Sequence, residues 1–208
     1  MSQAELTREV ARRVFASEFN DSTYTFKESD DERAPNYALL PTGDRANRVF
    51  FVGTLTETED VGEESEYWRG RVVDPTGTFF VYAGQYQPEA AAVLRETEPP
   101  AYVAVVGKPR TYEPEEGTIN VSVRPESIAV VDEATRDRWV VETAERTLER
   151  IESFREWEAE QEAPESASTA PSNEYAQMAH ERYDAPVENY RRDVIAALES
   201  LEEVEATP

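Results

Sequence analysis

The sequence has no cysteine, one histidine and two lysines, Lys27 and Lys108. Without cysteine there can be no disulfide, iron–sulfur cluster, thiol nucleophile or zinc finger, and a single histidine excludes histidine-rich metal sites. No run approaches the roughly 18 apolar residues of a membrane helix, and the start MSQAELTREV lacks the apolar core of a signal peptide. We therefore expect a soluble cytoplasmic protein that contacts no membrane.

The chain is strongly acidic. Asp and Glu number 44 against 21 Lys and Arg in 208 residues, so the net charge is −23, and the carboxylates are spread over every segment. Scattered carboxylates with very little lysine are typical of proteins from salt-in halophilic archaea. At molar salt the Debye length is about 3 Å, so this charge does not exclude nucleic acid as a partner. The alternative is a mesophilic acidic protein with disordered arms.

The first 35 residues predict a helix and an extended connection. Residues 7–19 carry apolar side chains at helical spacing, and Thr7 can act as the N-cap. Residues 21–35 are polar, and Pro35 together with the charges of residues 28–33 favours an extended or mobile segment. We therefore expect the compact domain to span residues 36–132.

Residues 48–132 have the period of β-strands and are rich in Val, Thr and aromatic residues. Gly53 predicts a bulge or bend in the first strand, Pro75 and Gly77 predict a hairpin turn, and Pro125 predicts a kink in the last strand. The predicted order is three strands, one helix and two strands, over residues 48–58, 66–74, 78–84, 87–97 (the helix), 100–112 and 118–132.

This order, in about 85 residues, matches the oligonucleotide/oligosaccharide-binding fold (OB-fold), a five-stranded Greek-key barrel whose helix lies between strands three and four. We therefore predict a mainly β protein in which this barrel is flanked by an N-terminal helix, a long helix after the barrel and a short C-terminal helical segment. Another small β-barrel or a fragment of a sandwich remains the alternative, because periodicity alone does not determine small all-β topologies.

Residues 133–159 predict one amphipathic helix of about 40 Å. A barrel of this size cannot cover the whole apolar stripe of such a helix, so we expect its distal part to contact another chain. The alternative is an intramolecular cover supplied by the N-terminal helix. The predicted partner-binding residues of the stripe are Val140, Ala144, Leu148, Ile151, Phe154 and Trp157.

The C-terminal region begins with a predicted flexible linker, residues 160–173, which is composed of Ala, Ser, Pro, Glu and similar small or polar residues. The segment 174–208 follows, and residues 187–205 have helical spacing. This segment is either a helix that docks on a partner or a strap that returns to the barrel, and we favour docking.

Three segments resemble the single-stranded-DNA-binding barrels of the replication protein A superfamily: VGTLTE (52–57), YWRGRVVDPTGTFFVYAG (67–84) and YVAVVGKPRTY (102–112). In that superfamily the second strand ends in an Asp-x-Thr-Gly turn, and the fourth runs into a segment like Gly-Lys-Pro. Residues 32–57 resemble, more narrowly, the replication protein A-associated proteins of haloarchaea. The resemblance covers roughly residues 5–155.

The resemblance implies a non-enzymatic accessory subunit that acts in DNA replication, repair or recombination. Its implied partners are single-stranded DNA and the replication protein A large subunit, which would associate through the helix after the barrel. Two features of the family are missing. The C-terminal segment is too small for the winged-helix domain of the eukaryotic middle subunit, and the zinc motif of some large subunits is absent.

A protein that binds single strands without sequence preference needs aromatic rings for base stacking and cations for phosphates. Period-two alternation separates Trp68, which we expect in the core, from its outward-facing neighbours, and it leaves open whether Phe79 or Phe80 faces outward, with Phe80 slightly favoured. Arg48 and Arg124 are weaker candidates, and any of the arginines can instead pair with a carboxylate. The predicted nucleic-acid-binding residues are Tyr67, Arg69, Arg71, Phe80, Tyr82 and, in the loop 108–117, Lys108, Arg110 and Tyr112.

Catalysis has little support in the sequence. There is no glycine-rich phosphate loop and no Gly-x-Ser-x-Gly motif, and His180 is expected on the surface. The carboxylates of residues 113–116 are expected to be ordinary acidic surface, so we expect no enzyme activity, no cofactor and no metal. Two alternatives stay open: a protein-interaction scaffold that stabilises the large subunit without contacting DNA, and an enzyme-associated barrel that presents RNA.

Overall fold

A computed structural model describes residues 9–32, 34–162, 173–183 and 186–205. None of the helices in these ranges has the length and apolar character needed to cross a membrane. The elements, in chain order, are β1 (Arg12–Arg13), α1 (Ala16–Asp21), β2 (Thr25–Lys27), β3 (Asn36–Leu40), β4 (Asp44–Ala46), β5 (Val49–Asp60), β6 (Trp68–Asp74), β7 (Gly77–Ala83), α2 (Pro88–Glu96), β8 (Ala101–Glu115), β9 (Thr118–Val130), α3 (Glu133–Glu162), α4 (Glu174–Arg182) and α5 (Val187–Glu205).

Five strands close into a barrel. They are hydrogen-bonded in the order β5-β6-β7-β9-β8, and β8 pairs back onto β5. The β7–β9 pair is parallel, with Val81 opposite Val123, and the other pairs of the barrel are antiparallel. This is the predicted OB-fold topology, with α2 between the third and fourth barrel strands, and the predicted fold class is confirmed.

Register shifts bear on two irregularities predicted for the barrel. The β8–β9 register shifts beside Pro125, where a kink is predicted. In the pairing of β5 with β6 the shift lies between Leu55 and Glu57 and not at Gly53, where a bulge or bend is predicted. Gly53 instead allows β5 and β6 to approach closely, because a Cβ at this position would lie 2.5 Å from the carbonyl oxygen of Val73.

The barrel interior is filled from its strands and from two helices. Phe51 of β5 and Phe79 of β7 stack with ring centroids 3.8 Å apart, and Phe19 of α1 lies 5.4 Å from Phe79. Leu94 of α2 is fully buried in the same cluster. Both helices therefore complete the core that the five strands enclose.

The predicted helix over residues 7–19 is wrong in its bounds. Thr7 lies outside the described residues, and the amides of Arg12 and Val14 donate to the carbonyl oxygens of Arg48 and Phe50, so this segment extends along β5. Helix α1 begins only at Ala16. Pairing with the edge of β5 satisfies backbone groups that a helix would otherwise have satisfied locally, so tertiary structure overrides the periodic pattern.

The start of α1 is capped by a distant turn. The Asp74 carboxylate accepts hydrogen bonds from the amide of Ala16 at 2.8 Å and from the amides of Thr76 and Gly77 at 2.7 and 2.9 Å. The Thr76 hydroxyl accepts from the amide of Ser17 at 3.0 Å. The predicted β6–β7 hairpin turn is therefore also the N-terminal cap of α1.

Within residues 21–35, for which an extended or mobile connection is predicted, Thr25–Lys27 form β2, and β2 joins β3 and β4 in a three-stranded antiparallel sheet. Thr25 pairs with Ala38, and Ala38 pairs with Ala46. Leu39 and Leu40 of β3 are fully buried. The compact structure thus includes β1, α1 and β2 and begins well before Asn36.

The distal half of the α3 stripe is covered by the C-terminal helices of the same chain. Ile151, Phe154 and Trp157 are buried in one cluster with Ala176 of α4 and Tyr190 of α5. The expectation that this half of the stripe is left for another chain is therefore corrected: the apolar side chains are buried, as their pattern requires, but within the chain.

The proximal half of α3 packs on the barrel wall. Val140 and Ala144 are buried together with Val194 of α5 and with the outward-facing Val52 of β5, and Leu148 packs against this cluster. The C-terminal segment is thus a strap that returns to the body of the protein, which was the less favoured of the two sequence alternatives. The N-terminal helix is not the main cover of α3.

Candidate nucleic-acid interface

The outer faces of β6 and β7 carry the predicted binding residues of these strands. Arg69 lies opposite Tyr82, and Arg71 lies opposite Phe80. Phe79 is fully buried, so the alternation left open by the sequence is settled with Phe80 on the outside. Trp68 is partly buried and packs against the barrel core, as expected.

Two tyrosines form a stacked pair at one end of this surface. The rings of Tyr67 and Tyr82 have centroids 5.8 Å apart and an interplanar angle of 22°. Gly84 makes room for the pair, because a Cβ there would lie 2.8 Å from Cδ2 of Tyr67. The carboxylate of Asp60 accepts the amide of Tyr67 at 3.0 Å and holds the start of β6 in place.

The predicted loop 108–117 is a β-hairpin, because β8 continues to Glu115 and β9 begins at Thr118. Hairpin pairing fixes the alternation of Lys108, Arg110 and Tyr112 along one side of β8. The register sets Lys108 opposite Arg124, Arg110 opposite Ser122 and Tyr112 opposite Asn120. Two cations and an aromatic ring are thereby held on regular strands and not on a mobile loop.

The two surfaces meet in an open groove of about 440 Å³, here called the tyrosine groove. Of the residues that the structure describes, none that lines this groove is an Asp or Glu, although the chain has 44 of them. The lining is aromatic, polar and cationic: Tyr67, Tyr82, Gln87, Arg110, Tyr112, Ser122, Val123 and Arg124.

The cations beside the groove crowd one another. Partial burial, followed by the positive charge of Arg48, lowers the pKa of the Lys108 ammonium, with Glu126 acting in the opposite direction. Partial burial and the charge of Arg124 likewise lower the pKa of Arg110. Burial and neighbouring cations disfavour the charged forms of these groups. An anion such as a phosphate that binds between them would therefore stabilise those charged forms.

The groove also perturbs a tyrosine. Partial burial raises the pKa of Tyr82, the charge and hydrogen bonding of Tyr112 raise it further, and Arg69 opposes the shift. Tyr82 is therefore neutral near neutral pH, and its ring presents an uncharged face. A neutral phenol ring can stack on a base without repelling the adjacent phosphates.

Four of the eight predicted residues line the groove together: Tyr67, Tyr82, Arg110 and Tyr112. Lys108 is next to it through its pairing with Arg124. The other three do not line it: Arg71 and Phe80 lie further along the outer face, and Arg69 is held by two carboxylates.

Arg69 illustrates the alternative that the sequence left open for every arginine. Its guanidinium lies 2.6 Å from the Glu59 carboxylate and 3.4 Å from that of Glu57, both on the neighbouring strand β5. Such exposed pairs contribute little to stability. They do commit the charge of Arg69 to two carboxylates of the protein itself.

Sequence reasoning missed Gln87 and Ser122 and gave Arg124 low weight. Gln87 immediately precedes α2 and belongs to no strand of the binding face, so no pattern in the sequence indicates it. Ser122 and Arg124 alternate on β9 opposite Arg110 and Lys108. Pairing residues 108–112 with residues 120–124 as a hairpin would have found both.

His180 and the carboxylates of residues 113–116 lie outside the described lining of the tyrosine groove. No group of three or more His, Cys, Asp or Glu side chains suited to a metal ion occurs within the described ranges. His180 is exposed and lies 5.5 Å from the ring of Trp157. Glu113 accepts a hydrogen bond from the amide of Gly117 at 2.7 Å and so supports the turn of the β8–β9 hairpin.

Neither family models nor curated proteins show a match to this chain. Among solved structures, the OBody AM2EP06 bound to hen egg-white lysozyme is 18% identical, covers 41% of this chain and 80% of its own, and has a TM-score of 0.35. The second single-stranded DNA-binding protein of Mycobacterium smegmatis is 20% identical, with 40% and 84% covered and a TM-score of 0.34.

The mitochondrial single-stranded DNA-binding protein Rim1 of S. cerevisiae is 14% identical, with 41% of this chain and 92% of its own covered and a TM-score of 0.33. Each of these alignments extends over about two fifths of this chain. Similarity at this level carries no information about a ligand or a partner of this chain.

Proposed function

We propose that this chain is a non-enzymatic OB-fold subunit that binds single-stranded DNA through the tyrosine groove. The observation that carries the proposal is the composition of the groove: in a chain with a net charge of −23, its described lining combines three tyrosines with two arginines and no carboxylate. A surface so depleted of acid, in so acidic a protein, is suited to a polyanion.

The groove residues include partners for both the base and the phosphate of a nucleotide. The rings of Tyr67, Tyr82 and Tyr112 stack on bases, and stacking contributes about 1 to 3 kcal/mol per base with little regard to sequence. Arg110 and Arg124, with Lys108 beside them, contact the phosphates. Binding of this kind favours flexible single strands, whose bases are free to leave one another and stack on protein rings.

The finer proposal is an accessory subunit of a haloarchaeal replication protein A complex, acting in replication, repair or recombination. Its support is the sequence resemblance of residues 32–57 and 67–84. Stacking and direct ion pairs act at contact distance, so they still operate where the Debye length is about 3 Å. Steering by long-range charge, which the acidic surface would oppose, is screened out under the same conditions.

Association with a large subunit is proposed through the helix after the barrel. Because the stripe of α3 is buried within the chain, the partner would contact the face of the α3–α5 pair that remains outside. Val141 of α3 and Ile195 of α5 are the exposed large apolar residues on these two helices in the described part of the chain. They are the residues at which to test this association.

The primary test is fluorescence anisotropy of a labelled oligothymidylate of about 16 nucleotides, titrated with the full chain at salt concentrations from about 0.2 to about 3 M. We expect binding by the wild type and a loss of about tenfold or more for Tyr112→Ala or Arg110→Gln. The matched control is Arg155→Gln, which removes an exposed arginine of α3 that pairs with Glu188 of α5 and does not line the tyrosine groove.

The outcomes separate the alternatives. If the isolated chain shifts no oligonucleotide at any salt concentration and Arg110→Gln leaves the DNA affinity of the native complex unchanged, the scaffold alternative replaces the proposal. If an RNA strand of the same length binds and DNA does not, the RNA-presenting alternative replaces it. Identification of the proteins that co-purify from a native high-salt lysate tests the partner.

A further inference from the structure

We infer that the binding track does not end at the tyrosine groove but continues across Gln87 and Arg124 into a second groove, where Tyr86 stacks a further base. This inference rests on the proposed function and adds a position to its footprint. The second groove has a volume of about 630 Å³ and is lined by Tyr86, Gln87, Pro88, Glu89, Ala90, Arg124, Pro125 and Glu126. It lies at the start of α2, and of the binding candidates named from the sequence its described lining includes the weaker one, Arg124.

The two grooves are continuous. Gln87 and Arg124 line both of them, so the two depressions adjoin along these side chains. A strand that leaves the tyrosine groove past Arg124 would enter the second groove directly. Pro125, beside which the β8–β9 register shifts, lines the second groove.

The exposed aromatic rings of the described residues lie along the two grooves. Of the large apolar side chains in the described ranges that are exposed, the aromatic ones are Tyr67, Tyr112 and Tyr86, with 44, 45 and 83% of their surface accessible. All three line one of the two grooves. A solvent-exposed tyrosine contributes little to the stability of the folded chain. A tyrosine ring beside a bound single strand, in contrast, can stack on a base.

Positive charge is concentrated where the two grooves meet. Arg124 lies at the junction, and Lys108 is its cross-strand neighbour on β8. Glu126 lines the second groove, but Arg48 holds its carboxylate with two contacts of 2.5 and 3.0 Å. The charge of Glu126 is therefore largely compensated, and Glu89 is the other carboxylate on the described lining.

The occupant of the second groove is the continuation of the same single strand. A separate small ligand would need a pocket with convergent polar groups. This groove is instead open and continues from the tyrosine groove past Gln87 and Arg124. The base on Tyr86 would be recognised by its π-face alone, so any base suffices and the tyrosine hydroxyl is dispensable.

The test compares oligothymidylates of about four and about 16 nucleotides, which span the usual footprint of one OB-fold. We expect Tyr86→Ala to weaken binding of the long strand about tenfold and to leave the short strand unaffected, because the short strand is accommodated in the tyrosine groove. Tyr86→Phe should bind both strands like the wild type. Val130→Ala, which trims an exposed apolar residue at the end of β9, is the matched control.

The results are distinguishable. No effect of Tyr86→Ala on the long strand, or an equal loss for both strands, overturns the extended track while leaving the proposed function in place. Failure of the wild type to bind either strand overturns the proposed function itself. Tyr86 is exposed, so circular dichroism of Tyr86→Ala should match the wild type, and a loss of affinity then reports a lost contact.

Discussion

Glu18 of α1 and Arg150 of α3 form a buried ion pair, with Nη2 of Arg150 2.6 Å from Oε2 of Glu18 and side-chain exposures of 1 and 10%. The pair has further partners: the Thr42 hydroxyl donates to Glu18, and Nε of Arg150 donates to Thr42 at 3.0 Å. Arg150 also donates to the Thr147 hydroxyl at 3.2 Å. One network thus joins α1, the β3–β4 turn and the long helix.

Removing one partner of this pair should destabilise the protein strongly. Arg150→Met leaves the Glu18 carboxylate buried without its cation, and we expect the free energy of unfolding to fall by about 3 to 5 kcal/mol in denaturant titrations. The double variant Glu18→Gln with Arg150→Met should recover part of the loss. Arg146→Gln, which breaks an exposed pair with Glu149 on the same helix, should have no measurable effect.

Asp74 should be important for stability because it organises the hairpin turn and caps α1. Asp74→Ala removes the acceptor for the buried amide of Ala16 and for the amides of the turn, and we expect a loss of about 2 to 3 kcal/mol. Asp74→Asn keeps one acceptor oxygen and should lose less. Equal stability of Asp74→Ala and the wild type in thermal and chemical unfolding would contradict this role.

Tyr183 should make stability depend on alkaline pH. Burial raises its pKa from 10.0 to about 12, and its hydroxyl donates to the carbonyl oxygen of Leu39 at 2.7 Å. The unfolded chain loses this proton first, so the stabilisation is complete below pH 10 and is lost as the pH rises toward 12, amounting to about 3 kcal/mol.

Other tyrosines have raised pKa values, so the measurement is the difference between the wild type and Tyr183→Phe. Unfolding titrations from neutral pH to about pH 12 should show a steeper decline for the wild type than for the variant. Parallel curves for the two proteins would show that Tyr183 is not responsible. Tyr86→Phe, at an exposed position, is the control and should follow the wild type.

Arg71 and Arg124 should differ in DNA binding, in the opposite order to the sequence analysis, where Arg71 is a predicted binding residue and Arg124 a weaker candidate. Arg124 is placed between the grooves, whereas Arg71 lies outside the groove lining. We expect Arg124→Gln to reduce the slope of log affinity against log salt by about 0.7, the value for one phosphate contact on a single strand. Arg71→Gln should change the slope much less, and equal changes would indicate that binding follows the β6–β7 face.

Two adjacent residues of α5 should separate folding from association. Val194 is 1% exposed and packs against α3 and the barrel, and Val194→Asp should lower the free energy of unfolding by about 3 kcal/mol or more. Ile195 is 44% exposed, and Ile195→Asp should fold normally. If Ile195→Asp also retains the proposed large subunit in a co-purification, the outer face of α3 and α5 is not the contact.

The barrel could be predicted from sequence because its signals are local. Alternation of apolar and polar residues defines strands, Pro75 and Gly77 define the hairpin turn, and the single helical segment between strands three and four selects the topology. The alternation of residues 67–73 also gave the correct outer face, since a side chain's direction in a strand follows from its position alone.

The sequence could not supply the partners of these elements. The stripe of α3 requires burial, but an apolar stripe does not specify its cover, and the cover proved to be α4 and α5 of the same chain. The same limit applies to Arg69 and Arg124: only the register across strands shows that the first is held by Glu57 and Glu59 and the second lines both grooves.

Periodicity in the sequence predicts the five barrel strands, helix α2, the long helix and the final helix. Packing between distant segments sets the extended path of residues 12–14, the small sheet β2-β3-β4, the cover of α3 and the composition of the groove. The physical reason is that periodicity reflects which side of an element avoids water, whereas contacts between residues distant in sequence depend on the packing of the whole chain.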